Sequence, residues 1–271
     1  MPSLDAEFGT LHHEDAGAGA PVVLVHGWSL SSAAFADELA LLARDRRAIA
    51  PDLRGHGRSS APRAPFGLED LARDLAALLA ALHLERAVLV GWSLGAEVAL
   101  AAAASPAVRA RLAALVLVSG TPRFTDGEGW PHGLPARGVE GLAARVRRDA
   151  PRAVARFFDG MFVEGELDGA ARARAEAVRA AVPPADPAAL LSGLAVLARA
   201  DLRAALPALD LPVLLVHGDR DPVCPPGASR AMAAAIPGAR LVELGGAGHA
   251  PFLSRPEPFR DALSSFLASL P

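Results

Sequence analysis

"LVGWSLGAEVAL", residues 89–100, places one serine between two glycines at the junction of two different sequence patterns. The apolar run Ala87–Val90 before it predicts a buried strand, and the alanine-rich run Leu94–Ala104 after it predicts a helix. Gly91 to Gly95 therefore fit G-x-S-x-G, the sharp strand-to-helix turn called a nucleophile elbow. We expect this turn to expose the Ser93 hydroxyl above a sheet, at a helix N-terminus whose free N–H groups favour negative charge.

Apolar runs without polar alternation recur along most of the chain, which indicates strands buried on both faces of a parallel sheet. The predicted strands are Pro21–His26, Arg47–Ala50, Ala87–Val90, Ala114–Ser119, Val213–His217 and Arg240–Leu244. The predicted helices are Ser32–Ala43, Leu68–Leu82, Leu94–Ala104, Gly227–Ala235 and Pro258–Leu270. The predicted fold class is α/β, with a mostly parallel, doubly wound sheet. A strand or hairpin around Leu4–Glu14 is expected to add an antiparallel edge.

The alternation of strands and helices stops near Thr121 and resumes near Pro212. Only helical patterns occupy the interval, broken by proline and glycine. These helices are predicted over Val139–Asp149, Pro151–Asp159, Gly169–Ala181 and Pro187–Arg199. We predict a core formed by residues 1–120 and 212–271, with a helical cap insertion over residues 121–211 at one end of the sheet.

Composition excludes several classes of protein. The chain has 271 residues, a net charge of −3 and one cysteine, so it has neither the footprint of a nucleic-acid-binding protein nor an internal disulfide framework. Its first residues lack the basic start and apolar core of a signal peptide, and no apolar run is long enough to span a membrane. We expect a soluble cytoplasmic protein with no nucleic-acid or membrane partner.

A serine hydroxyl needs a base to act as a nucleophile, and the base needs an acid to orient it. "LLVHGDRDPVCP", residues 214–225, follows a predicted strand and offers Asp219 and Asp221; "LGGAGHAPFLSRP", residues 244–256, follows the next strand and offers His249. The order Ser, Asp, His is the one that accompanies this elbow. We choose Asp221 as the acid and expect Asp219 to form a turn or a loop hydrogen bond.

An oxyanion hole requires two backbone N–H donors. The N–H of Leu94, directly after the nucleophile, is one candidate, and "VVLVHGWSL", residues 22–30, supplies the N–H of Trp28 after an early strand. We expect the Trp28 ring to line the acyl pocket and His26 to hydrogen-bond loop backbone. No catalytic role is expected for His12, His13, His56, His83 or His217, and Cys224 is expected to be a small buried side chain. No cluster has the spacing of metal ligands, so no metal is predicted.

The motifs "HGW", "DLRGHGRS", "GWSLG", "HGDRDPVCP" and "GHAPFLSRP" resemble the α/β-hydrolase superfamily in order and approximate spacing. "LVHGWSL", "GWSLGAEVAL", "VSGTPRFTDGEGWP", "PRAVARFF" and "GHAPFLSRPEPF" more narrowly resemble the pimeloyl-[acyl-carrier protein] methyl ester esterases of biotin synthesis. Tryptophan follows "HG" at Trp28 and precedes the serine at Trp92. These two tryptophans are a narrower signature of a family than the G-x-S-x-G elbow alone.

The resemblance implies Ser93 as nucleophile, His249 as base, Asp221 as orienting acid, and Trp28 and Leu94 as oxyanion donors. In that family, cap arginines engage the acidic carrier protein. Arg152 and Arg156 match one arginine pair, and Phe157 takes the position that contacts the acyl chain. Phe158 and Met161 complete the predicted substrate contacts. A second arginine pair is matched only loosely by Arg172 and Arg174, and "DLRGHGRS" is closer to general hydrolases and perhydrolases.

These residues predict a serine carboxylesterase that needs no cofactor and acts through an acyl-enzyme. The expected substrate is a small or carrier-linked ester, foremost the methyl ester of pimeloyl carrier protein. Within enzymes, the alternatives are a lactonase, a carbon–carbon bond hydrolase or a cofactor-free perhydrolase on the same scaffold. From another class, a binding protein that kept the fold without catalysis is the alternative, and the presence of Ser93, Asp221 and His249 argues against it.

Overall fold

Eight strands form one sheet in the computed structural model, which describes residues 2–271. The strands are β1 (Ser3–Ala6), β2 (Gly9–Gly17), β3 (Pro21–Val25), β4 (Arg47–Pro51), β5 (Ala87–Trp92), β6 (Leu112–Val118), β7 (Val213–Gly218) and β8 (Arg240–Leu244). The helices before β7 are α1 (Ala36–Leu42), α2 (Leu68–Ala81), α3 (Leu94–Ala104), α4 (Pro106–Arg109), α5 (Ala136–Arg148), α6 (Ala150–Asp159), α7 (Gly169–Ala181) and α8 (Pro187–Arg199). Those after it are α9 (Gly227–Ala235), α10 (Pro251–Ser254) and α11 (Pro256–Ala268), and two 3₁₀ helices span Ser32–Phe35 and Arg203–Ala208.

The sheet order is β1-β2-β4-β3-β5-β6-β7-β8. Every neighbouring pair from β4 to β8 is parallel, and β2 pairs antiparallel with both β1 and β4. β5 and β7 are buried along their whole length, because helices cover both faces of the sheet. The predicted α/β class, with a mostly parallel sheet and an antiparallel edge, is confirmed.

Several predicted helices differ from the observed ones at their ends, and two of these differences have a clear local cause. The prediction over Ser32–Ala43 divides into a 3₁₀ turn and α1, because Phe35 at the junction has φ −106° and ψ 18°, outside the α-helical range. The last helix begins at Pro256 rather than at Pro258. Proline at the first helical position is favourable, since the N–H that it lacks would have no partner there.

Residues 121–211, for which we keep the name cap, contain helices α5 to α8 and the second 3₁₀ helix between β6 and β7. The carboxylates of Asp149, Asp168 and Asp186 accept backbone N–H groups at the starts of α6, α7 and α8, which explains where these helices begin. The division into core and cap stays a prediction. No helix within residues 2–271 has the length and apolar character needed to cross a membrane.

Candidate active site

Ser93 occupies a strained turn between β5 and α3. Its φ of 57° and ψ of −121° lie in a region that residues with a Cβ rarely adopt. A Cβ on Gly91 would lie 2.3 Å from the carbonyl oxygen of Gly95, and one on Gly95 would lie 2.2 Å from that of Val25. Neither distance is sterically possible, so both glycines are required for this path of the chain.

A chain of hydrogen bonds joins Ser93, His249 and Asp221. His249 Nε2 lies 2.8 Å from Ser93 Oγ, and His249 Nδ1 lies 2.8 Å from Asp221 Oδ2. An ionised carboxylate can only accept, so Nδ1 carries the ring proton and Nε2 presents its lone pair to the serine hydroxyl. All three side chains are buried. The arrangement can move the serine proton to His249 and stabilise the imidazolium that results.

Asp221 receives four donors. Its Oδ1 accepts the backbone N–H groups of Val223 and Cys224 at 2.7 and 2.9 Å. Its Oδ2 accepts from His249 and also lies 3.2 Å from Nε2 of His217. Burial by itself would raise the pKa of Asp221, but His249, His217 and their hydrogen bonds outweigh it and hold this pKa below its ordinary value. Asp221 is therefore ionised over the range in which a histidine titrates.

His217 is a contact that the sequence interpretation did not anticipate. Its Nε2 lies 2.8 Å from the carbonyl oxygen of Cys224, and its Nδ1 faces the hydroxyl of Ser229. Because both neighbours of Nε2 are acceptors, Nε2 carries the proton. Its shorter contact is with the Cys224 carbonyl, and the Asp221 carboxylate lies 3.2 Å away. The sequence signal was available, since His217 lies at the carboxyl end of β7, four residues before Asp221.

The predicted oxyanion donors lie on either side of Ser93. Leu94 begins α3 directly after the serine, and a Cβ on Gly27 would lie 3.1 Å from Ser93 Cβ, which brings the loop of Trp28 beside it. Neither the Leu94 nor the Trp28 N–H donates to a protein acceptor in residues 2–271. Two backbone donors next to Ser93 thus remain available to a ligand.

His26 holds this loop in place and has no bond to Ser93. Its Nε2 accepts the backbone N–H of Leu53 at 2.9 Å, so its Nδ1 carries the proton that it donates to the Gly27 carbonyl at 2.8 Å. Burial lowers the pKa of His26, which keeps the ring neutral. The expected bond to loop backbone is present.

A cavity of about 390 Å³ opens on Ser93 between the sheet and the cap. Three of its residues are polar or charged: Ser93 itself and two arginines, Arg145 and Arg156. The other residues that line it are Trp28, Phe124, Leu134, Gly138, Val139, Leu142, Ala153, Phe157, Leu194, Leu197, Pro222 and Val223. An apolar chain with a polar or anionic outer end suits these walls.

Three predicted substrate contacts line this cavity, namely Trp28, Arg156 and Phe157. The Trp28 and Phe157 rings meet edge to face with centroids 4.9 Å apart. The indole N–H of Trp28 donates to the Leu190 carbonyl of α8 at 2.8 Å, which bonds the loop after β3 to the cap. A Cβ on Gly193 would lie 2.8 Å from this indole, so the glycine allows α8 to approach it.

The other three predicted contacts, Arg152, Phe158 and Met161, are not among the cavity-lining residues of the part of the chain that the structure describes. Phe158 follows Phe157 on α6, so it points about 100° away, and it packs against Phe162 with ring centroids 5.7 Å apart. Met161 is buried, and its backbone carbonyl accepts the N–H of His249. Sequence spacing alone did not show which side of α6 faces Ser93.

The cap carries a surface of exposed arginines on α5 and α6. Among residues 2–271, no carboxylate pairs with any of these guanidinium groups. They are Arg137, Arg145, Arg147, Arg148, Arg152 and Arg156. Residues 137–156 contain only two acidic side chains, and one of them, Asp149, caps α6. The surface is therefore strongly positive in a chain that is negative overall.

The remaining candidates have structural contacts. Asp219 accepts the Gly246 N–H at 2.7 Å, which links the loops after β7 and β8. Burial, and then the charge of Asp221, raise the pKa of the Cys224 thiol well above its ordinary value, so it is not a thiolate. Arg174 donates to the Leu253 carbonyl at 3.0 Å. Residues 2–271 contain no group of three His, Cys, Asp or Glu side chains arranged to hold a metal ion.

The α/β-hydrolase fold family model matches residues 20–256. The chain belongs to this family, as the sequence motifs predicted. Two solved structures are similar over nearly their full length. An esterase from Exiguobacterium antarcticum has a TM-score of 0.91 and 28% identity, with 98% of this chain and 99% of that chain covered. A bromoperoxidase from Bacillus anthracis has a TM-score of 0.87 and 27% identity, with 96% of each chain covered.

Among curated proteins, the chain is 36% identical over 270 residues to a pimeloyl-[acyl-carrier protein] methyl ester esterase from Xanthomonas oryzae pv. oryzae. That match covers 96% of this chain and 100% of the relative. Relatives named as esterases and a hydrolase fold together support the prediction that the chain is a carboxylic ester hydrolase.

Proposed function

We propose that the chain is a serine carboxylesterase in which Ser93 is the nucleophile, His249 the base and Asp221 the orienting acid. The observation that carries the proposal is the hydrogen-bonded series Ser93–His249–Asp221, with both links at 2.8 Å, opening into the cavity under the cap. Serine, imidazole and carboxylate in this relation are the requirements for acyl transfer.

The reaction proceeds in two halves. His249 Nε2 takes the proton of Ser93 Oγ as that oxygen attacks the ester carbonyl, and the N–H groups of Trp28 and Leu94 stabilise the oxyanion. The imidazolium then protonates the departing alcohol, leaving an acyl-enzyme. Water attacks this acyl group, with His249 again as base, and releases the acid. Asp221, held ionised by its donors, stabilises the imidazolium in both halves.

The preferred substrate is the methyl ester of a pimeloyl chain carried on acyl-carrier protein. The name of the Xanthomonas oryzae relative supports this choice. The apolar walls of the cavity suit the methylene chain, and Arg156 at its edge lies on the arginine surface of the cap. An acidic carrier would be drawn to this surface, which would speed its association in a salt-sensitive way.

Replacement of the nucleophile tests the mechanism. Ser93→Ala should lower kcat on p-nitrophenyl acetate by about 10⁴-fold or more while the circular dichroism spectrum is unchanged. The same variant should lose labelling by a serine-reactive phosphonate. Turnover at the parental rate would remove Ser93 from the mechanism.

Charge reversal tests the carrier. Arg152→Glu with Arg156→Glu should reduce kcat/KM for carrier-linked ester about tenfold more than for a free small ester. The matched control is Arg44→Glu with Arg240→Glu, which makes the same charge change near the amino ends of β4 and β8, far from the cavity. Equal losses on both substrates, or an equal loss in the control, would count against carrier docking.

The identity of the acyl group is tested by complementation of a biotin auxotroph that lacks the esterase. Growth without biotin is expected if the chain cleaves the pimeloyl ester, and no growth would count against this substrate.

A further inference from the structure

The cap segment between α6 and α7 is bonded to the loop that carries His249. The backbone N–H of His249 donates to the Met161 carbonyl at 2.8 Å, and that of Gly248 donates to Glu166 Oε1 at 2.7 Å. The second oxygen of Glu166 accepts the N–H of Val163 at 2.8 Å, which closes the cap segment on itself. Residues more than 80 positions apart in the sequence are thereby joined beside the base.

The contact is specific for a carboxylate and a glycine. Both oxygens of Glu166 face backbone N–H donors, so an amide in its place would turn its own NH₂ toward one of them. A Cβ on Gly248 would lie 2.4 Å from the Met161 carbonyl oxygen and 2.6 Å from Glu166 Oε2. Glu166 is 2% exposed, so a donor that lost it would have no water as substitute.

Three separate parts of the fold hold His249. Its N–H is bound by the cap at Met161, its carbonyl accepts the indole N–H of Trp92 at 2.8 Å, and its ring is bound by Asp221. The last two belong to the sheet side of the molecule. Within residues 2–271, the hydrogen bonds to Met161 and Glu166 are the ones that join the backbone of Gly248 and His249 directly to the cap.

We propose that Glu166 is a positioning residue for His249. Through its bonds to Gly248 and to the cap segment that contains Met161, it sets the distance and orientation of the His249 imidazole relative to Ser93. The inference rests on the proposed function, in which His249 is the base. Its effect should fall on the chemical step, because displacement of a catalytic group by about 1 Å can cost about 10²-fold in rate while substrate binding in the cavity is unaltered.

The test compares Glu166→Gln with Glu164→Gln, its exposed neighbour two residues earlier. Active sites are counted by the phosphonate burst, so that kcat refers to labelled enzyme only. Glu166→Gln should lower kcat on p-nitrophenyl acetate about tenfold with KM within about twofold, and Glu164→Gln should match the parent. Gly248→Ala should lower kcat similarly, and the double variant should lose less than the product of the two effects.

A purely structural role predicts a different result, in which fewer sites are labelled and the melting temperature falls but kcat per site is parental. That result would overturn the proposal, as would additive losses in the double variant. If Glu166→Gln is not folded at the assay temperature, Gly248→Ala is judged by the same criteria, and loss of the fold in both also overturns it. Ser93→Ala separates the two proposals, because its retained turnover removes the triad whatever Glu166 does.

Discussion

The indole N–H of Trp92 donates to the backbone carbonyl of His249 at 2.8 Å, and the two rings lie 5.8 Å apart. Trp92 directly precedes Ser93, so the residue next to the proposed nucleophile holds the backbone of the proposed base. Trp92 is also one of the two tryptophans that carry the resemblance to the esterase family. The structure shows a physical reason for a tryptophan there, since phenylalanine would pack in the same space but has no N–H.

We expect Trp92→Phe to lose this bond and leave the His249 carbonyl without its donor. The free energy of unfolding should fall by about 1–3 kcal/mol, measured by urea denaturation, and kcat should fall several-fold. The control is Trp130→Phe. The indole N–H of Trp130 donates to the Arg123 carbonyl at 2.8 Å, and neither residue belongs to the proposed triad. It should lose similar stability and keep its kcat; an equal fall in kcat in both variants would contradict a specific effect on His249.

Gly95→Ala should disrupt the elbow, because its Cβ would lie 2.2 Å from the backbone oxygen of Val25. We expect the free energy of unfolding to fall by about 1–3 kcal/mol or more, together with loss of esterase activity. Gly169→Ala is the matched control: Gly169 begins α7, and apart from its chain neighbours and its own helix backbone no atom lies within 4 Å of an added Cβ. That variant should be neutral or up to about 1 kcal/mol more stable. Activity retained by Gly95→Ala would mean that the elbow can relax.

Glu97 should make stability fall as pH rises. Both carboxyl oxygens are buried without a hydrogen-bond partner in the described chain, and burial raises the pKa of Glu97 well above its ordinary value. Above the unfolded pKa, near 4.5, the unfolded state is ionised while the folded state keeps its proton. Folding therefore takes up a proton, and stability declines with pH until the folded group ionises.

Glu97→Gln removes this titration, so the slope of unfolding free energy against pH should become flatter above about pH 5. Urea unfolding at several pH values from 5 to 9 measures it. Glu176→Gln, on the exposed side of α7, should leave the slope as in the parent. A parental slope in Glu97→Gln would show that Glu97 is already ionised in the folded protein.

His217 should influence the pH dependence of catalysis through Asp221. His217→Phe removes the donor 3.2 Å from Asp221 Oδ2, so the carboxylate should become more basic and the imidazolium of His249 more stable. The acidic limb of kcat/KM against pH should move to higher pH. His217→Gln can restore an N–H at the same place and should bring the limb back toward the parental position. If the acidic limb of the pH profile does not move in His217→Phe, His217 acts only through packing and not through the charge of Asp221.

Much of the fold follows from local sequence. Continuous apolar runs such as Ala87–Val90 and Val213–His217 predict buried parallel strands, because period and burial are properties of a short segment. The glycines around Ser93 predict a sharp turn for the same reason. Helix boundaries follow less directly from local sequence. Phe35 interrupts a helix through its backbone conformation, which the helical pattern of its neighbours does not reveal.

Residue patterns alone predict the sheet, the elbow, and the order in which Ser93, Asp221 and His249 follow buried strands. Packing of distant segments sets the rest. Asp221 contacts His249 while Asp219 bonds a neighbouring loop, and Phe157 faces the cavity while Phe158 does not. The difference lies in the sequence separation of the contacts involved. Strands and turns arise from contacts between near neighbours, whereas His217, Glu166 and Met161 reach the proposed triad through hydrogen bonds that exist only after distant segments have packed together.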